Sequence, residues 1–236
     1  MTESNNQEII WVLGMIVMLG IIALGIFVFA ALIPGSPVLA LFGKLFDVLF
    51  ASSSAQAFWY VTRAAGVVAY LLLWLSTAWG LAVSSKILDP LLQRFFTYDM
   101  HQFISLLALG FVVLHVVVLL ADKYLPFSVA QVLVPFAAPY RPVWVGVGVI
   151  GFYLTLLVSV TFYLRQRIGY HKFRVIHYAS FVAYLMALAH GLLAGTDSSL
   201  WTAQFMYAAS ALVVIFLFVY RIVMALPSLQ PETSAR

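Results

Sequence analysis

The sequence predicts an all-α fold, a polytopic membrane bundle of about six transmembrane helices, and three observations carry that expectation. Apolar residues make up 64% of the 236 residues and charged residues only 8%, against roughly one-half and one-quarter in soluble domains. Six stretches reach the run of about 20 apolar residues that a helix needs to cross a bilayer. The basic residues fall almost wholly between those stretches, where topology rules place them.

The first span, near Ile9 to Ile33, follows the leader MTESNNQE, which has two acids and no lysine or arginine. Its apolar core is too long for a signal peptide, so it is expected to remain as a helix. Pro37 to Phe50 is too short to cross and carries Lys44 and Asp47, which suits an interfacial segment, and Ser52, Ser53 and Ser54 form a linker. The second and third spans run near Phe58 to Val83 and Met100 to Ala121, the fourth near Val143 to Leu164. Between the third and fourth, Asp122 to Pro142 holds four of the nine prolines and predicts an irregular cap over one membrane face. The fifth and sixth run near Val175 to Ala194 and Leu200 to Met224. With no internal repeat or second domain, residues 1–236 read as a single transmembrane domain.

Six spans put both termini on one side. That side collects Lys86, Arg94, Arg165, Arg167, Lys172, Arg174, Arg221 and Arg236, whereas the other has Lys44, Arg63, Lys123 and Arg141. The positive-inside rule then places both termini in the cytoplasm and directs the third and fifth helices outward together. A net charge of +4 therefore marks membrane anchoring in lipid, and no nucleic-acid partner is expected. The lack of cysteine excludes disulfides, covalently attached c-type haem and thiolate-held clusters, which leaves histidine, carboxylate or backbone to hold any metal.

Ionisable groups inside lipid are costly and mark function, and four of the five histidines fall within two helices. The third span reads HQFISLLALGFVVLH from His101 to His115, and the fifth HYASFVAYLMALAH from His177 to His190. Separations of fourteen and thirteen residues correspond to roughly 20 Å along a helix, so on co-directional helices the depths match. His101 can face His177 near the cytoplasmic side and His115 can face His190 near the outer side, each pair clamping one haem iron between helices 3 and 5. Zinc suits the pattern less well, because each level offers two histidines and a zinc site normally takes three or four protein ligands.

On an ideal helix fourteen residues return to nearly the same face, whereas thirteen leave His177 and His190 about 140° apart. The fifth helix must then be tilted, locally rewound, or served by long side-chain reach. Ala108, Gly110, Ala179, Ala187, Ala189 and Gly191 offer clearance for a macrocycle, or simply for helix packing.

WYVTRAAGVVAYLLL in the second span, the histidine spacing of the third and FRVIHYASFVAYLMALAHGLLAGTD through the fifth together resemble the ferric reductase-like transmembrane domain. This is the membrane core of ferric reductases, NADPH oxidases and bacterial relatives, and the resemblance covers about residues 58–225, the expected haem-binding core. It implies two b-type haems, the inner on His101 and His177 and the outer on His115 and His190, with Arg63 beside the outer propionates. Such an arginine pairs bidentately with a carboxylate, although interfacial snorkelling also explains it. Arg174 is a further cofactor-binding candidate at the inner end, near His171 and Lys172. Phe173 stands where similar sequences often carry tryptophan, and Thr196 and Asp197 are candidate caps of the sixth helix.

The resemblance also implies an oxidoreductase component in a bacterial inner membrane, passing electrons from a cytoplasmic flavoprotein to an external acceptor. Only twelve residues follow Met224, so no separate flavin or nucleotide domain is expected and flavin belongs to the partner. A basic outer rim would favour anionic acceptors, and the basic loop Arg165 to Arg174 could dock an acidic reductase. Two other readings stay open. One is a haem-binding subunit serving a specific external protein, similar to the membrane partner of a periplasmic methionine sulfoxide reductase. The other is a haem-free transporter, which discontinuous helices or mid-span acids would favour, yet Asp99 and Asp122 lie at helix ends.

Overall fold

The computed structural model describes residues 55–122 and 125–226. The first expected span, the interfacial segment after it, Lys44, Lys123 and Arg236 lie outside the described residues. Within them the chain is helical throughout, in the order α1 (Ala55–Ser84), α2 (Arg94–Leu120), α3 (Val129–Leu133), α4 (Pro142–Ile168), α5 (Tyr170–His177), α6 (Ala179–Ala194) and α7 (Trp201–Val223). Five helical segments are long and apolar enough to cross a bilayer, with α5 and α6 together forming one of them. Large apolar side chains such as Phe205, Leu212, Ile215 and Phe216 on α7 are mostly exposed. That is the surface expected where lipid is the solvent, and the protein is an integral membrane protein in contact with lipid.

α1 packs along α2 as an antiparallel pair, and α4 packs in the same way along α6. Lipid supplies no hydrophobic drive between helices, so close approach and polar contacts must hold them. Between α1 and α2 the Ser76 and Ser105 hydroxyls lie 2.7 Å apart and Trp79 Nε1 donates to Thr97 O at 2.9 Å. α7 is tied to α1 near mid-span, where the Tyr70 and Ser210 hydroxyls meet at 2.5 Å and Trp74 Nε1 donates to Ser210 O at 3.0 Å. Tyr70, Tyr184 and Tyr207 pack together there, with ring centres 6.2 Å and 4.8 Å from Tyr70.

The proline-rich connection is the cap that its composition suggests, with one short helix inside it. Ser128 and Gln131 close a reciprocal capping box on α3. Phe127, Val132, Leu133 and Ala138 form a small core against the C-terminal end of α2 and the N-terminal end of α4. Pro142 opens α4 at a position where a missing N–H costs nothing. Arg141, in the left-handed region at φ 41°, sends Nη1 to Leu193 O at 2.6 Å, and Tyr140 donates to Ala194 O at 3.2 Å. The loop thus satisfies carbonyls that the end of α6 leaves open.

Two boundaries differ from the expectation. The basic stretch Arg165 to Arg174 is helical on both sides of a single break, because Gly169 at φ 89° turns the chain in a conformation that suits glycine. The fifth span is interrupted at Tyr178, whose N–H reaches both Arg174 O and Val175 O at 3.3 Å, while Phe181 N–H bonds back three residues to Tyr178 O at 3.2 Å. Such i→i−3 bonding overwinds the chain, adding about 20° per residue relative to an α-helix. That is the sense needed to bring His190 round toward the face of His177, and α5 and α6 do not share one ideal helix.

Removing the Tyr70 hydroxyl with Tyr70→Phe should cost about 1 kcal/mol, the scale of an interhelical hydrogen bond in a membrane protein. Thermal unfolding in detergent should show the lowered midpoint, and Ser210→Ala should show a similar loss.

Candidate functional site

Each long helix carries its histidines at the depth its neighbours share. α1 and α2 run antiparallel in a register that sets Gly80 beside His101 and Gly66 beside His115. A Cβ added at Gly80 would lie 3.0 Å from His101 Cε1, and one at Gly66 would lie 3.0 Å from His115 Nδ1. The two glycines are spaced along α1 as the two histidines are along α2. On the other side of the bundle, a Cβ at Gly148 of α4 would come within 2.5 Å of His190 Nδ1.

These glycines do more than clear space. Nδ1 of His115 donates to Thr62 O at 2.8 Å, and Nδ1 of His190 donates to Trp144 O at 2.9 Å. Thr62 precedes Gly66 by four residues, and Trp144 precedes Gly148 by four. The carbonyl of residue i and the Cβ position of residue i+4 lie one turn apart on the same helix face. Glycine at i+4 therefore opens a notch through which an imidazole from the next helix reaches the carbonyl. With a carbonyl as partner, Nδ1 must carry the proton, so Nε2 is the ring nitrogen left with a lone pair. Ser76 and Gly80 repeat the notch at the inner level, where the Ser76 backbone lies near the His101 ring. There, however, Nδ1 of His101 and Nδ1 of His177 are buried with no hydrogen-bond partner.

The four sequence-predicted histidines meet as two pairs. The ring centres of His101 and His177 are 6.1 Å apart with planes at 79°, and those of His115 and His190 are 6.5 Å apart with planes at 76°. Phe173 packs against the His177 ring at 5.4 Å between centres. A cavity of about 270 Å³ takes in both outer histidines, with apolar walls that include Val112, Val116 and Phe152. Among the described residues no group of three His, Cys, Asp or Glu side chains comes together to hold a metal ion.

Arg63 and Asp197 also line that cavity. Arg63 Nε donates to Asp197 Oδ2 at 2.7 Å, its Nη2 pairs with Oδ1, and its guanidinium carbon sits 4.0 Å from the Trp59 ring centre. Asp197 therefore does not cap the last helix, whose N-cap is Leu200 without a side-chain bond. Nor is the outer rim simply basic among the described residues: Arg63 is matched by Asp197, Arg141 donates to a backbone carbonyl, and the buried Asp122 lines the same cavity as Arg63. Arg174 and His171 are exposed on α5, the helix that ends in His177.

Sequence reading missed Gly66, Gly80 and Gly148 and looked instead to small residues beside the histidines in the chain. Gly110 meets nothing within 4 Å, and Gly191 faces Tyr207. The signal that could have found the first two was the fourteen-residue glycine spacing in the second span, equal to that of His101 and His115.

A helical membrane bundle carrying two stacked pairs of histidines is the class of protein that fold and site define. The model of the family described as ferric reductase like transmembrane component matches residues 64–188, more than half of the chain. The chain belongs to this family, and it is a membrane electron-transfer component of a kind that generally binds haem. The matched segment includes His101, His115 and His177, whereas Arg63 and His190 lie just beyond its two ends. Neither a curated protein nor a solved structure matches the chain.

Alanine at Gly148 should be the most damaging of the notch substitutions, with Gly66 and Gly80 next. Overpacking of this kind costs about 1–3 kcal/mol, whereas Gly110→Ala should be neutral or slightly stabilising because alanine favours helix. Unfolding midpoints in detergent would give the order.

Proposed function

We propose that the protein holds two b-type haems, the inner on His101 and His177 and the outer on His115 and His190, and passes electrons from a cytoplasmic flavoprotein to an external acceptor. The observation that carries this reading is the separation within each pair. Two imidazoles bound to opposite sides of one metal, each through a bond of about 2 Å, have ring centres roughly 6 Å apart. Both pairs stand at that spacing, 6.1 Å and 6.5 Å. At neither level does a third side chain complete a protein-only metal site among the described residues, which favours an iron that brings its own equatorial nitrogens.

Bound there, haem would supply reversible one-electron chemistry at iron. The contribution of this chain is to hold and insulate. The Thr62 and Trp144 carbonyls fix the orientation of the outer imidazoles and increase their basicity as ligands. The glycine notches set the depth of three of the four rings, and the apolar cavity walls exclude water. At the inner end the rings rest on packing, with Phe173 against His177. Arg63 at the outer mouth, through the Nη1 group that its pairing with Asp197 does not use, and Arg174 at the inner end are the candidate partners for haem carboxylates.

The orientation follows from charge. Lys86, Arg94, Arg165, Arg167, Lys172, Arg174 and Arg221 belong to the end nearer His101 and His177, and the positive-inside rule makes that end cytoplasmic in a bacterial inner membrane. The break at Tyr178 does not favour a transporter. Its N–H and its carbonyl both stay hydrogen-bonded within the overwound turn.

Purified in detergent, the protein should show a reduced-minus-oxidised spectrum of b-type haem at two haems per chain, and a haem-free preparation would reject the reading. His115→Ala should remove mainly the outer haem and His101→Ala mainly the inner one. Because both pairs of ring planes are nearly perpendicular, low-temperature electron paramagnetic resonance should give strongly anisotropic low-spin ferric signals. A rhombic spectrum typical of parallel imidazoles would contradict the ring geometry.

A further inference from the structure

Arg63 is held from two sides by residues far apart in the chain. Asp197, in the turn between α6 and α7, grips the guanidinium edge through Nε and Nη2, and Trp59 lies beneath its face. The Asp197 side chain is free for this because it does not cap α7, and only its backbone carbonyl serves the turn, accepting Leu200 N–H at 2.9 Å. Arg63, Asp197 and Trp59 line the same cavity as His115 and His190.

Both charges line the cavity that holds the outer pair. Thr62, next to Arg63, holds His115 Nδ1 at 2.8 Å, and Asp197 follows His190 by seven residues. Apolar walls surround the intervening space, so a charge at this rim acts on the pair through a medium that screens far less than water. The guanidinium is side-chain 26% exposed and the carboxylate 37%, so neither is lost into bulk solvent.

We infer that Asp197 is a positioning residue that holds Arg63 at the mouth of the outer cavity and offsets its charge there, so that the outer histidine pair does not feel a full unpaired guanidinium charge. This rests on the outer pair holding a haem, as proposed above. An unpaired guanidinium would stabilise an added electron and raise the reduction potential of that group, whereas an unpaired carboxylate would lower it. Held as a fork, the two offset each other, and Arg63 alone adds little pull on an approaching anionic acceptor.

The test is a spectroscopic redox titration of the full-length, haem-loaded protein, with the outer component identified as the one lost in His115→Ala. Asp197→Asn should raise the potential of that component and Arg63→Gln should lower it, with the inner component unmoved. The double variant should return close to the starting value, and Asp197→Glu should retain it. Asp197→Asn should also make reduction of an anionic acceptor more sensitive to salt than reduction of a neutral one. If Asp197→Asn cannot be purified, the sign of the Arg63→Gln shift decides alone. Shifts of the same sign in the two single variants, or no shift in either, would overturn the inference while leaving two haems in place. Absence of haem from the unaltered protein would overturn the reading on which it rests. A thermal-unfolding double-mutant cycle on the same variants, which needs no haem, should show coupling between positions 63 and 197, and independent effects would remove the ion pair from the argument.

Discussion

The register between α1 and α2 is the constraint from which the rest of the bundle follows. Gly66 against His115 and Gly80 against His101 are a single antiparallel alignment seen at two depths. A slip of one residue would push a Cβ into each ring. Helices in lipid gain nothing from hiding apolar surface from one another, so points of close backbone approach decide how they seat. Once α2 is seated, its two imidazoles stand about four helical turns apart, and α5 and α6 need only bring His177 and His190 to the same two levels.

The two levels are built differently. At the outer one, both rings are held by main-chain carbonyls through Nδ1, a cavity lies alongside, and an ion pair braced on Trp59 closes the rim. At the inner one, both Nδ1 atoms are buried without a partner, and the rings depend on packing against Phe173 and the Ser76–Gly80 notch. A ring whose N–H is fixed has its orientation and donor strength set by the fold, whereas a ring held by packing keeps more freedom. The more constrained level is the one beside the long capping loop, whose Tyr140 and Arg141 also hold the last carbonyls of α6.

The interruption at Tyr178 shows how a spacing that fails on an ideal helix succeeds in a real one. Thirteen residues fall about 140° short of four full turns, and the overwound link between α5 and α6 moves the phase in the closing direction. Gly169 makes this possible one step earlier, because its positive φ frees α5 from the axis of α4. A short helix between two breaks can be placed by its contacts, and its final residue is His177.

Hydropathy and length alone determined the helical membrane bundle and the positions of the five spans among the described residues, because bilayer thickness demands about 20 apolar residues wherever a chain crosses. The four histidines were legible for a related reason: ionisable groups stand out against lipid, and axial rise converts residue spacing directly into depth. Depth, however, carries no information about which neighbour a side chain meets. The seating of His115 in the notch of Thr62 and Gly66, that of His190 in the notch of Trp144 and Gly148, and the partnership of Arg63 with Asp197 all join residues far apart in the chain. Tertiary structure decided these, since helix rotation and register, which a one-dimensional pattern leaves free, are set only when backbones pack closely enough for a single Cβ to matter.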